Sequence, residues 1–155
     1  MKPDLPTQRL SPKHQMTLPK GARALVGAES DGYVCGTLHR MRQLQTGAWH
    51  RVVVLLTETE LHKREAAIRQ NPELDPVTAE AHIARLNGNV QRMAIDGQRR
   101  VVLPKHFVVY LGLEREVYMF STNNTVLVWH PETWLAWSGA AAADDAEEAP
   151  PLLMI

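Results

Sequence analysis

Asp96 and Arg100 stand four residues apart in a short polar stretch, DGQRR, between two β-like runs, and that spacing has a specific chemistry. At a tight connector an aspartate accepts backbone amides and a guanidinium together, which holds the arginine in one rotamer at low entropic cost. An arginine held this way can donate two parallel hydrogen bonds to guanine O6 and N7 in a major groove, worth about 1–3 kcal/mol of discrimination. The same spacing also suits an ion pair that only pins a turn. A sister stretch near the N-terminus, SPKHQ, has Ser11 and Gln15 in the corresponding places, and a glutamine there suits adenine N6 and N7. Around the first stretch lie Arg9, Lys13, His14, Lys20 and Arg23, and around the second Gln98, Arg99 and Lys105. Lys13, Lys20, Arg23 and Lys105 suit phosphate, because point charges near a helix start position a duplex without reading it; the plainer alternative is solubilising surface charge.

The elements that must hold these residues are written twice. Residues 10–37 return 85 positions later as residues 95–122 without a gap, so that Leu18, Pro19, Lys20, Gly27, Glu29, Tyr33 and Thr37 fall on Leu103, Pro104, Lys105, Gly112, Glu114, Tyr118 and Thr122. A unit of that size cannot close a core alone, and two copies in one chain are expected to complete each other about a pseudo-two-fold axis. Each copy is expected to open with a hairpin, 7–11 with 15–18 and 90–95 with 100–103. A two-turn helix follows, begun by Pro19 or Pro104 and stopped by a left-handed Gly27 or Gly112. Second hairpins pair 32–37 with 51–56, and 117–122 with 125–130 across Asn123-Asn124. The match resumes at an offset of 74, Val52, Val54, Glu58, Thr59 and Leu61 on Val126, Val128, Glu132, Thr133 and Leu135, so the first copy holds extra residues within LHRMRQLQTGAWHR.

Helices are expected after both hairpins, one capped by Thr57 with Glu60 and one opened by Pro131. Another, 76–87 with Asp75 as cap and Gly88 as stop, joins the copies. The chain therefore divides into a first repeat (7–70), a helical linker (71–89), a second repeat (90–138) and an acidic tail (139–155) whose composition favours mobility. The insert carries His39, Arg40, Arg42, Trp49, His50 and Arg51; it reads as an elaborated hairpin whose Trp49 covers the barrel, with extension of a nucleic-acid contact as the alternative. Leu111, Leu113, Tyr118, Phe120, Leu127 and Trp129 read as core, and Trp134 with Trp137 as packing on the body or on a neighbouring subunit.

The first copy, SPKHQMTLPK, resembles the S-x-K-x-Q-hydrophobic-T-hydrophobic-P-K signature of the AbrB/MazE/SpoVT superfamily of DNA-binding domains, through Ser11, Lys13, Gln15, Thr17, Leu18, Pro19 and Lys20. The second copy resembles the D-x-x-x-R motif of the tandem-repeat MraZ family, through Asp96 and Arg100, and VWHPETW resembles that family's aromatic strand-to-helix close. That family carries D-x-x-x-R in both copies, and here the first has Ser11 and Gln15. The resemblance covers residues 8–137. It implies an α+β, β-rich fold: a tandem-repeat swapped-hairpin (AbrB/SpoVT-like) β-barrel with short helices and a helical linker. It further implies a sequence-specific transcriptional regulator in the cytoplasm and nucleoid, with double-stranded DNA as partner and ring-like homo-oligomers that read repeated promoter boxes. The DNA-binding set is then Arg9, Lys13, His14, Gln15, Lys20, Arg23, Gln98, Arg99, Arg100 and Lys105, with Ser11 and Asp96 as structural turn residues. A rival is an antitoxin-type module whose tail, residues 140–155, neutralises a toxin through its apolar end. A third reading is an oligomeric scaffold that has lost DNA binding.

Composition is compatible with these readings. The net charge is zero, but residues 1–51 carry eight basic and three acidic side chains, while Asp144, Asp145, Glu147 and Glu148 load the tail, so a local basic face survives a neutral sum. A single cysteine, Cys35, precludes an internal disulfide, and its place in a β-like run points to an inert buried thiol. No apolar run approaches the roughly 18 residues that cross a bilayer. The seven histidines are dispersed without zinc spacing, and there is no phosphate-cradling glycine loop, so neither an enzyme nor a metal or cofactor site is expected.

Overall fold

The apolar run at residues 52–56, VVVLL, has no polar alternation and is satisfied only where both faces of a strand are covered. The computed structural model, which describes residues 6–27 and 32–139, places this run at the centre of the protein. In chain order the elements are β1 (Gln8–Arg9), β2 (Gln15–Thr17), α1 (Arg23–Val26), β3 (Tyr33–Arg42), β4 (Trp49–Leu56), α2 (Glu58–Arg69), α3 (Pro76–Gly88), β5 (Gln91–Ala94), β6 (Arg100–Val102), α4 (Lys105–Leu111), β7 (Glu116–Ser121), β8 (Thr125–Trp129) and α5 (Pro131–Ser138). A six-stranded antiparallel sheet runs β1-β7-β8-β4-β3-β5, and β2 pairs with β6 as a separate ribbon.

Alternate residues of the central strands serve two cores. Val53, Leu55, Val126 and Val128 join Met16, Leu18, Leu25, Val101 and Phe107 inside the barrel. Val52, Val54, Leu56, Leu127 and Trp129 meet Leu61 of α2 and Trp137 of α5 on the opposite side. Cys35 is buried in this second core, where desolvation raises its thiol pKa. Burial of each large side chain contributes on the order of 1.5–3 kcal/mol, so neither half could be stable with its inner face open.

The halves are exchanged into each other, as the swapped-hairpin expectation requires. β1 of the first copy pairs with β7 of the second, β5 of the second pairs with β3 of the first, and the copies share the β2–β6 ribbon. In the ribbon Met16 faces Val101, with Gln15–Val102 and Thr17–Arg100 on either side, so the pseudo-two-fold axis passes through the Met16–Val101 pair. The expected first hairpins are therefore closed only at their tips. Their arms are too short to satisfy one another's backbone and take edges from the other half instead.

The gapless repeat needs correction. Gln8 pairs with Val117, but Met93, its counterpart, pairs with Val34, so the copies slip by two residues between the first helices and β3 or β7. Tyr33 and Tyr118 are not equivalent. After the second hairpins the true counterparts are the helix caps Thr57 and His130, one residue from the alignment read in sequence. Glu29 and the tail from residue 140 lie outside the described residues, and with them the expectation of a mobile tail.

The helices follow their signals unevenly. Thr57 accepts the Glu60 amide at 3.1 Å and Asp75 the Thr78 amide at 2.7 Å, as their spacing predicts. Pro104 is the cap before α4 rather than its first residue, and Gly112 closes α4 at φ 68. Pro19 precedes a turn, α1 is a single turn, and Gly27 leaves it at φ −74; the Ala24 amide goes to Asn123 O at 2.9 Å, outside the helix. The insert lengthens the β3–β4 hairpin, but Trp49 does not cover the barrel: it is 40% exposed, with Arg40 4.9 Å above its ring. Trp134 stacks on Tyr118 at 4.8 Å, and the buried Trp137 donates from Nε1 to Arg42 O at 3.4 Å.

Candidate nucleic-acid interface

Both connectors at residues 11–15 and 96–100 fold into the same turn. The His14 amide donates to Ser11 O at 2.8 Å and the Arg99 amide to Asp96 O at 3.1 Å, while the amides of Ser11 and Asp96 donate to Gln15 O and Arg100 O. His14 and Arg99 are the two positive-φ residues other than glycine among the described residues, at 63° and 62°. This is a three-residue loop with a left-handed final position. Neither chain position uses the glycine that would adopt it without strain.

Ser11 and Asp96 stabilise these loops alike. Ser11 Oγ accepts the amides of Lys13 at 3.2 Å and Gln15 at 2.9 Å, and Asp96 Oδ1 accepts those of Gln98 and Arg100, each at 2.8 Å. Asp96 alone has a second oxygen to offer, and Arg100 Nε donates to its Oδ2 at 2.6 Å. The Arg100 amide chiefly, with its side chain and the Gln98 amide, holds the Asp96 carboxyl below the usual carboxylate range. Arg100 is thus positioned by a charge-assisted bond while its side chain stays 41% exposed.

The ribbon joins the two tips. The Leu18 amide donates to Arg99 O at 2.7 Å and the Leu103 amide to His14 O at 2.9 Å, so each tip is seated on the chain leaving the other copy's strand. The segment carrying Lys105 therefore starts beside the first tip, and that carrying Lys20 beside the second. Met16 and Val101 point inward and are buried, leaving Gln15, Thr17, Arg100 and Val102 on the outer face. Gln15 and Arg100 lie on opposite strands, two residues out of register, about 8 Å apart at the backbone from ordinary strand spacings. Lys13, Lys20, Gln98 and Lys105 are exposed; Arg99 Nε donates to Leu18 O at 3.3 Å.

Arg9 and Arg23 are set apart from this cluster. Arg9 lies opposite Glu116 on β7, alternating away from its neighbour Gln8, and exposed Arg23 opens α1 beside the β7–β8 turn. Sequence reasoning missed Gln8. Its side chain acts as a surrogate strand: Nε2 donates to Thr17 O at 3.0 Å, and Oε1 accepts the Thr17 amide at 2.5 Å. No periodicity marks that role, because the contact depends on how β1 crosses β2. Among the described residues there is no cluster of three or more His, Cys, Asp or Glu suited to a metal ion, and no helix long and apolar enough to cross a membrane.

An exchanged pair of hairpins around a shared ribbon defines a swapped-hairpin barrel of the AbrB/SpoVT-like superfamily. A family model described as "MraZ protein, putative antitoxin-like" matches residues 87–150. Within the superfamily, the chain is an MraZ-like member. It is 30% identical over 101 residues to the Transcriptional regulator MraZ of Halorhodospira halophila, covering 63% of this chain and 66% of that protein. It is 27% identical over 111 residues to that of Clavibacter michiganensis subsp. michiganensis (70% and 77% covered), and 29% over 75 residues to that of Acetivibrio thermocellus (48% and 52%). The matches thus span between about half and three quarters of these relatives.

Proposed function

We propose that this protein is a sequence-specific DNA-binding transcriptional regulator whose β2–β6 ribbon enters the major groove. The observation that most supports this reading is the pair of exposed, geometrically equivalent tips flanking one ribbon, one of them presenting a carboxylate-fixed guanidinium. A two-stranded ribbon is narrow enough for that groove, and an 8 Å separation of readers corresponds to roughly two base-pair steps. Arg100 donates to guanine and Gln15 pairs with adenine, while Lys13, Lys20 and Lys105 hold phosphates. The name shared by the curated relatives supports the regulator class, and an enzyme is not favoured. Assembly into homo-oligomers that bind repeated boxes would supply by avidity what a chain of zero net charge lacks. The antitoxin reading rests on a tail beyond the described residues and is not favoured.

Selection of duplexes from a randomised pool tests the proposal. The protein is expected to enrich a repeated box and to retard it with an affinity that falls steeply with salt. The combined variant Lys13→Ala, Gln15→Ala, Arg100→Ala should lose that retardation by at least about tenfold, since each good base contact contributes on the order of 1–3 kcal/mol. Unchanged retardation by a folded triple variant would refute the proposal.

A further inference from the structure

We propose that the groove between the α2–α3 pair and β3, whose lining includes no residue of either tip, binds a small organic anion with an apolar body. The cavity has a volume of about 700 Å³, within the usual range for small-molecule sites. Arg40 from β3, Arg64 from α2, and His82 and Arg85 from α3 converge on it, and among the described residues no acidic side chain lines it. Leu38, Ile68, Leu74 and Leu86 supply an apolar wall. Such a lining suits a carboxylate or phosphate on a hydrophobic scaffold better than a duplex backbone, which brings no apolar surface to cover those side chains.

Two further observations bear on the same cavity. Thr37 of β3, 1% exposed, borders the cavity and has a buried hydroxyl with no hydrogen-bond partner, a polar group left unsatisfied in the wall. Desolvation lowers the Arg64 guanidinium pKa while Glu60, 3.8 Å away, acts in the opposite direction, so this arginine stands in a partly dry setting at the cavity wall. Tyr110 of α4 closes one side, with its hydroxyl donating to His39 O at 2.8 Å. α4 begins at Lys105, so the cavity shares a helix with the candidate DNA face.

The test uses the full chain and 8-anilinonaphthalene-1-sulfonate, whose fluorescence rises in an apolar site. Saturable binding of one probe per chain is expected, displaced by octanoate or adenosine monophosphate but not by octanol. Displacement by octanoate alone assigns a carboxylate ligand, and by the nucleotide alone a phosphate. Arg40→Glu and Arg85→Glu alter exposed residues and should each weaken the probe about tenfold, the scale of one charge-assisted contact, without changing DNA retardation. Absence of saturable binding, or indifference to both variants, overturns the site. So does a change in sedimentation of the variants, which would make the groove a contact between copies. Tighter probe binding after truncation beyond Gly139 would equally overturn it, by assigning the groove to the acidic tail.

Discussion

Ser11 and Asp96 accept corresponding backbone amides, yet only Asp96 titrates. Its folded pKa is depressed, so its contribution is fully present above the ordinary carboxylate value and is lost as pH falls through the lowered one. The Arg100 Nε–H resonance should hold steady from neutral pH down through the usual carboxylate range and move only below it. In Asp96→Asn that step should vanish, and the amides of Lys13 and Gln15 should show no step below the usual carboxylate range in either protein. His14 invites a second experiment. Its left-handed backbone costs a non-glycine residue about 1 kcal/mol, so His14→Gly should raise urea stability by about that amount while weakening DNA retardation. This is the pattern of strain retained at a site of use; a destabilised His14→Gly protein would show instead that the imidazole anchors the tip.

At the scale of elements, Gly36 on β3 shows how tightly the exchanged halves meet. A Cβ there would stand 2.5 Å from Phe107 Cε2 and 2.7 Å from Met93 Cε, both from the second copy. Gly36→Ala should therefore destabilise by about 1–3 kcal/mol in denaturant titration, and Phe107→Leu in the same chain should recover part of the loss. The tips, both N-terminal caps of the long helices, and the existence of every strand were legible, because each rests on local chemistry. The slip of two residues between copies was not: strand side chains alternate with period two, so a shift of two leaves every inward position inward. The one-residue error after the second hairpin escaped for another reason. Val52 and Val126, aligned in sequence, serve different cores, but β4 is apolar on both faces and offers no alternation to mark its register.

For the whole molecule, the distribution of strands matters more than their number. No half owns a complete sheet, since every outer strand of one copy is hydrogen-bonded to the other, and the central β4–β8 pair is shared as well. The sole covalent bridge between the copies runs through α2 and α3, joined at residues 70–75 and exposed on their outer faces. A protease nick there would leave two fragments interlocked like the subunits of an ordinary dimer. They should co-elute under native conditions and part only in denaturant. Co-expressed as separate peptides, they should rebuild the body, whereas either fragment alone would have to seek a second copy of itself; the tether sets the stoichiometry of unlike partners rather than the architecture.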